Sequence, residues 1–283
     1  MPQVTPYPQR NLVMAMVTGQ RMALPLPRRW IADLLHAGRR IPTVTVERRV
    51  DVSAVAAARK RLADPPPWVV LFTKAYAIVA SRRPELRRAY MPFPWPHLFQ
   101  ADESVATVAV ERDYRGEPAV FFGSLRHPDR QSIAQLTHHM NRWRTYPVEN
   151  IRSFQSLIKY TKLPWPVRRL VWWYTANLSR KWRMRVFGTF GVSVTASEGA
   201  TALNLISPLS TSVNYGIFAA DHTLPVRVHF DHRVLDGAPV ARALGDLETT
   251  MNTVIVAELL AMAADDRIRL GPVLWDEDER DAA

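Results

Sequence analysis

The segment that most constrains the fold of this chain is residues 225–244, PVRVHFDHRVLDGAPVARAL. Apolar and polar residues alternate in its first part, which predicts a β-strand. His232 stands at the predicted strand end, and a helical pattern begins directly after Gly237. The segment therefore predicts a strand, a turn that presents one histidine, and a helix, within a domain of mixed α and β structure.

The rest of the chain indicates the same architecture. Strand-like runs lie at 41–49, 105–111, 118–123, 188–195, 212–218 and 224–231, and helical runs lie at 51–62, 68–83, 132–143 and 238–263. The 283 residues are 47% hydrophobic, which is enough for a full core. No internal repeat divides the chain, so a single α/β domain is expected.

Composition excludes several kinds of site and favours one kind of partner. The absence of cysteine excludes disulfides, thiolate metal sites and a cysteine nucleophile. A net charge of +11 favours an anionic partner such as a phosphorylated cofactor, phospholipid or nucleic acid. No secretory signal and no run of about 18 uncharged apolar residues is evident, so a cytoplasmic protein, either soluble or peripheral at the membrane surface, is expected.

Residues 232–237 read His-Arg-Val-Leu-Asp-Gly, an HxxxDG motif that Asp231 and Ala238 extend to DHRxxDGA. This motif resembles the catalytic domain of the 2-oxo acid dehydrogenase acyltransferases, the E2 components, within the chloramphenicol acetyltransferase-like superfamily. Other branches of the superfamily carry a second histidine where this chain has Asp231, so the E2 branch is favoured. Three further segments resemble consecutive elements of the same domain, at 28–42, 41–62 and 65–86.

The resemblance implies an α+β sandwich in which helices cover a mixed sheet, and an acyl transfer that uses a coenzyme A thioester as co-substrate. It implies direct transfer in a ternary complex, with no metal and no acyl-enzyme. His232 matches the general base, and imidazole suits that role because its unperturbed pKa is about 6.5. In residues 188–194, GTFGVSV, Ser193 matches the serine that stabilises the oxyanion, with Thr195 as the alternative.

The other motif residues are given structural roles by the same resemblance. Asp236 is expected to pair with an arginine that holds the histidine loop in place, and Arg29 is one candidate. Gly237 is expected to permit a backbone path too tight for a side chain. Arg233 is assigned to the structural part of the motif, and the coenzyme A-binding residues are left unassigned.

Four other histidines are not expected to be catalytic. His222 and His229 flank the motif and are expected to be structural or to line the substrate site. His138 and His139 are neighbours on a predicted helix, where their side chains point apart, so they are not expected to bind a metal.

The chain departs from the E2 pattern in its domain organisation. We expect an extension at 1–27, a catalytic domain at 28–265 and an acidic tail at 266–283, with no lipoyl domain. A free-standing acyltransferase with an acceptor other than dihydrolipoamide is therefore expected, as a homotrimer with sites between subunits. The alternative is a catalytically silent trimeric scaffold or binding module, against which the intact HxxxDG motif argues.

A second departure is an apparent insertion at about 150–186. It contains nine Lys or Arg, four Trp and no acidic residue within 151–185, with apolar residues at helical spacing beside Arg168, Arg169, Arg180 and Lys181. Such helices suit an anionic membrane surface or a lipidic acceptor. The alternative is that the apolar face packs on its own domain. Nucleic acid is disfavoured because no nucleic-acid module accompanies the charge.

Overall fold

The computed structural model describes residues 19–264. In chain order the elements are α1 (Leu26–Gly38), β1 (Thr43–Asp51), α2 (Ser53–Arg59), α3 (Trp68–Arg82), β2 (Arg88–Met91), β3 (His97–Gln100), β4 (Val105–Tyr114), β5 (Glu117–Arg126), α4 (Ile133–Thr145), α5 (Arg152–Thr161), α6 (Trp165–Asn177), α7 (Arg180–Val186), β6 (Phe190–Val192), β7 (Thr211–Tyr215), β8 (Thr223–Asp231), α8 (Gly237–Thr250) and α9 (Val256–Ala264). A π-helical turn at Met251–Ile255 joins α8 to α9. The predicted tail at 266–283, and residues 1–18 of the predicted extension, lie outside the described part of the chain.

Six strands form one mixed sheet in the order β1-β8-β7-β6-β4-β5. Strand β6 is parallel to β4 and β7, and the other neighbouring pairs are antiparallel. The predicted α/β architecture with a mixed sheet and covering helices is therefore confirmed. The hairpin of β2 and β3 was not predicted, because its four-residue strands are too short for a clear alternation.

Strand β6 is shorter than the run predicted at 188–195. Gly188 has φ 78°, and a Cβ there would lie 2.7 Å from the Val105 carbonyl oxygen, so the chain turns sharply just before the strand. After Val192 the ladder continues only through the Ser193 amide, which donates to the Val213 carbonyl at 3.2 Å. Ser193 therefore lies immediately beyond a short, central, parallel strand.

Helix α3 fixes the middle of the sheet. Most of its side chains are buried, as its continuous apolar pattern predicts. Phe72 stacks on Tyr215 of β7 with ring centroids 4.4 Å apart, and Tyr76 packs on Phe190 of β6 at 4.8 Å. These contacts fix the positions of β6 and β7, the two strands beside the candidate site.

The helical run Gly237–Ala264 packs along the same core. It is long and apolar enough to cross a membrane, a property that core helices of soluble proteins can share. Here Val240, Leu247, Met251 and Leu259 are fully buried against the domain. One face of the run therefore packs on the domain core, and the run continues directly from the HxxxDG segment.

The insertion at 150–186 folds into α5, α6 and α7 and is anchored by Asp33 of α1. The Asp33 side chain is 2% exposed, with Arg168 Nε 3.1 Å from Oδ2 and Arg169 Nε 3.8 Å from Oδ1. Burial raises the pKa of Asp33, and the two arginines oppose that shift. Arg168 and Arg169 therefore contact their own domain, which differs from the expected row of charges beside an apolar face.

Candidate active site

His232 is presented by the end of β8. Strand β8 ends at Asp231, and the His232 amide donates to the Pro42 carbonyl at 3.0 Å, which ties the turn to the residue before β1. The His232 side chain is 49% exposed, and its ring lies 5.8 Å from that of Phe230. The backbone is therefore fixed while the imidazole remains accessible to a substrate or a neighbouring chain.

Asp231 holds the histidine turn through Arg233. Its carboxylate is 1% exposed and accepts from Arg233 Nε at 2.9 Å and from Nη2 at 2.7 Å, a bidentate pair. It also accepts from the Arg233 amide at 3.0 Å. The guanidinium lies 4.3 Å from the centre of the Tyr90 ring. The predicted structural role of Arg233 thus has a concrete form, and its carboxylate partner is the residue before His232.

The arginine partner expected for Asp236 is not found within the described residues of a single chain. The Asp236 side chain is 82% exposed and forms no ion pair with an arginine of residues 19–264; its Oδ1 lies 3.5 Å from His232 Nδ1. The candidate partner Arg29 donates instead to the Leu24 carbonyl at 2.9 Å. Asp231 is therefore the buried carboxylate that binds an arginine in this turn, whereas Asp236 is an exposed carboxylate beside the His232 ring.

Gly237 begins α8, but the expected crowding at this position is absent. A Cβ there would meet only Val46 Cγ2, at 3.9 Å, which is ordinary van der Waals contact. Its φ is also outside the positive range, so the local backbone does not require glycine.

Ser193 is held by its backbone and has a free hydroxyl. Asn214 Nδ2 donates to the Ser193 carbonyl at 2.9 Å, and Asn214 itself is fully buried. Within the described residues no group engages the Ser193 hydroxyl, so it can donate to a ligand. The alternative donor, Thr195, uses its hydroxyl to bind the Ala200 carbonyl at 3.1 Å. The geometry therefore favours Ser193 as the hydrogen-bond donor.

A single chain does not bring Ser193 and His232 together. The sheet register places Ser193 beside Asn214 of β7, and Asn214 pairs with Arg227 of β8. His232 lies five residues beyond Arg227, which at about 3.3 Å per residue corresponds to about 17 Å along the sheet. The two predicted catalytic residues therefore lie at different levels of the sheet, about 17 Å apart along the strand direction.

His229 and His222 take structural positions. His229 is 2% exposed, its Nδ1 lies 2.8 Å from the Thr45 hydroxyl, and burial lowers its pKa to about 4. His222 occupies a turn with φ 61°, where its carbonyl accepts from the Val52 amide. Among residues 19–264, no cluster of three or more His, Asp or Glu side chains could hold a metal ion.

A small basic pocket of about 160 Å³ lies beside the histidine turn. Its lining includes Arg233 and four residues that could bind phosphate groups or stack on a base: Arg40, Arg169, Arg183 and Trp173. Arg183 is 5% exposed and donates to the carbonyls of Ala176 and Pro208, while burial lowers its pKa to about 10. An arginine remains charged at that value, so the pocket is suited to an anion.

A much larger cleft, of about 1050 Å³, lies between the sheet and the insertion. Its sheet side is formed by alternate residues of β4 and β5 together with Ser193, and helices α5, α6 and α7 form much of its other wall. Ser193 therefore faces this cleft.

Comparison with known proteins gives solved structures only. No protein-family model and no curated protein matches the chain. A probable dihydrolipoamide acetyltransferase from Listeria monocytogenes is 16% identical with a TM-score of 0.59, covering 83% of this chain and 95% of that one. The dihydrolipoamide acetyltransferase of Azotobacter vinelandii is 20% identical with a TM-score of 0.59, covering 91% and 100%. The catalytic core of the Thermoplasma acidophilum 2-oxoacid dehydrogenase complex is 16% identical, with a TM-score of 0.58 and coverage of 83% and 99%.

The chain has the fold of the E2 catalytic core. The resemblance stated from the HxxxDG motif is thus confirmed at the level of the fold. Within this E2 fold, sequence reasoning missed two carboxylates, Asp231 and Asp33. Asp231 had a visible signal, because an arginine stands two positions after it. Asp33 had none, because its partners Arg168 and Arg169 lie on a helix far away in sequence.

Proposed function

We propose that the protein is a coenzyme A-dependent acyltransferase that uses His232 as its general base. The observation that carries this proposal is an accessible histidine of an HxxxDG motif, fixed at the end of β8 in an E2 fold. The Azotobacter vinelandii structure comes from work on the role of a serine, a histidine and an asparagine in its catalytic mechanism. That histidine and asparagine are four positions apart, as are His232 and Asp236.

The proposed reaction follows from the chemistry of these groups. Neutral His232 removes the proton from a thiol, hydroxyl or amine acceptor, which attacks the thioester carbonyl. The Ser193 hydroxyl donates a hydrogen bond to the negative oxygen of the tetrahedral intermediate. When the C–S bond breaks, the coenzyme A thiolate takes the proton from His232, so the products are the acylated acceptor and free coenzyme A. Asp236 orients the ring through Nδ1, which leaves Nε2 to act as the base.

We propose that one subunit supplies His232 and its neighbour supplies Ser193. The separation of about 17 Å along the sheet within one chain supports this division, because a reacting carbonyl must lie near both groups. The cubic core of the pyruvate dehydrogenase complex, with a TM-score of 0.54, shows a similar fold within a larger assembly. A trimer is therefore expected, and light scattering that reports an active monomer would contradict it.

The coenzyme A phosphates are proposed to bind in the small basic pocket. Arg40 and Arg183 line it beside Arg233, which is adjacent to His232 in sequence. An anionic cofactor bound there would place its thioester arm close to the histidine turn of the same subunit. This assignment rests on the positive lining and the closeness to His232.

The proposal is tested by thiol release from a panel of acyl-coenzyme A donors, with and without cell extract as a source of acceptor. His232→Ala should reduce turnover by about 100-fold or more while leaving coenzyme A binding nearly unchanged. Turnover close to wild type in this variant would exclude His232 as the base. Binding of coenzyme A with no transfer to any acceptor would favour the silent scaffold.

Subunit mixing tests the shared site. His232→Ala and Ser193→Ala chains should each be nearly inactive alone, whereas co-expression should restore about a quarter of the sites, because some interfaces then join an intact His232 to an intact Ser193. A site contained within one chain would show no recovery.

A further inference from the structure

The large cleft has an apolar wall that water reaches. Several apolar side chains of the wall are strongly exposed: Leu170 65%, Ile206 55%, Tyr174 43%, Val186 42% and Trp182 40%. Concentrated exposed apolar surface of this kind usually marks a binding site. Its volume of about 1050 Å³ slightly exceeds the range of ordinary small-molecule pockets, about 300–1,000 Å³.

The sheet side of the cleft places an apolar path directly beside Ser193. Ala109 and Ser193 directly follow Val108 and Val192, the last pair of the parallel β4–β6 register, and Phe122 of β5 pairs with Ala109. Successive strand neighbours at one level are about 4.8 Å apart, so these three side chains form a row across one face of the sheet. A group whose carbonyl oxygen binds Ser193 can therefore extend over Ala109 and Phe122 into the cleft.

We propose that this cleft binds the aliphatic chain of a long acyl group, with the thioester carbonyl at Ser193. The proposal rests on the proposed function, because it takes Ser193 as the oxyanion donor, and it names the substrate class as long-chain rather than acetyl. The aliphatic chain is that of the acyl donor. It is attached to the reacting carbonyl, and a carbonyl bound at Ser193 directs it into the cleft.

Binding is measured first, without turnover. Calorimetry on the His232→Ala trimer with acetyl, butanoyl, octanoyl and dodecanoyl coenzyme A should show affinity rising with chain length, by up to about fourfold per methylene group. Equal affinity for acetyl and dodecanoyl coenzyme A would overturn the proposal. Since this measurement needs no catalysis, a long chain that binds while no transfer is found would contradict the proposed function and leave the cleft assignment intact.

A matched pair of variants locates the chain. Leu170→Gln places an amide in the cleft wall, whereas Leu178→Gln changes a leucine that is 41% exposed and outside the lining. Leu170→Gln should weaken dodecanoyl coenzyme A binding by about tenfold and leave acetyl coenzyme A binding unchanged. Leu178→Gln should change neither.

Two results would overturn the assignment. Equal weakening by Leu170→Gln and Leu178→Gln would mean that the chain only adheres to exposed apolar surface. Dissociation of the trimer by Leu170→Gln, measured by light scattering, would mean that a second copy of the chain covers this wall. If affinity does not rise with chain length and Leu170→Gln has no selective effect, but the protein still transfers acetyl groups, the proposed function stands and the long-chain assignment fails.

Discussion

The histidine turn and the insertion are both fixed by a buried aspartate that contacts arginine, but the two contacts differ in range. In the turn, Asp231 binds Arg233, two residues away. In the insertion, Arg168 binds Asp33, which lies far earlier in the sequence, on α1. The first contact builds a local structure that a short motif can specify. The second forms only in the complete fold. It fixes the position of α6, but no local sequence pattern predicts it.

The largest expected effect concerns the local contact. Asp231→Asn removes the buried charge that binds Arg233, and should lower the free energy of unfolding by about 3 kcal/mol, because a buried ion pair loses one partner. Urea denaturation measures the change. The matched control is Asp236→Asn, whose 82% exposed side chain should cost less than about 0.5 kcal/mol. Equal losses in the two variants would show that both carboxylates hold the turn.

A pH titration tests how firmly β8 supports the turn. His229 is neutral in the fold because burial lowers its pKa to about 4, whereas the unfolded chain binds a proton near the ordinary value of 6.5. Stability should therefore fall as pH decreases from about 6.5 to 4, by up to about 3 kcal/mol. The wild type should show this loss relative to His229→Gln, measured by urea denaturation at each pH. Identical pH profiles would mean that His229 is not the responsible group.

The long-range contact should matter somewhat less. Arg168→Gln leaves Asp33 with Arg169 at 3.8 Å as its remaining partner, so a loss of about 2 kcal/mol is expected. Lys159→Gln, an exposed change on α5, should leave the free energy of unfolding nearly constant and serves as the control. If Arg168→Gln is as harmless as Lys159→Gln, the insertion is held by its apolar contacts and not by Asp33.

The smallest effect concerns the outer charges of the insertion. We propose that Arg180 and Lys181, which are exposed, contribute about 1 kcal/mol each to binding at an anionic membrane surface. Changing each to Gln should weaken sedimentation with anionic vesicles, and added salt should weaken it in the wild type. Arg168→Gln should not, because Arg168 faces Asp33. Equal sedimentation with neutral and anionic vesicles would contradict this proposal.

The same contrast explains how much the sequence could predict. The strand, turn and helix around His232 follow from local alternation and from a six-residue motif, and they appear where predicted. The sequence did not show that Asp231 is the carboxylate buried against an arginine, because a motif specifies residue types but not which of two nearby carboxylates is buried. The cleft was not predicted at all. Its walls come from α1, from the sheet and from the insertion, so it exists only once those elements are packed together.

Arg183 gives the cleft one further property. Its guanidinium donates to the Ala176 carbonyl of α6 at 2.7 Å and to the Pro208 carbonyl at 2.8 Å, so a single buried side chain spans two segments of the cleft wall. Arg183 therefore keeps the two segments at a fixed separation. The distance between these two segments is thus set by the folded domain itself and not by whatever the cleft binds.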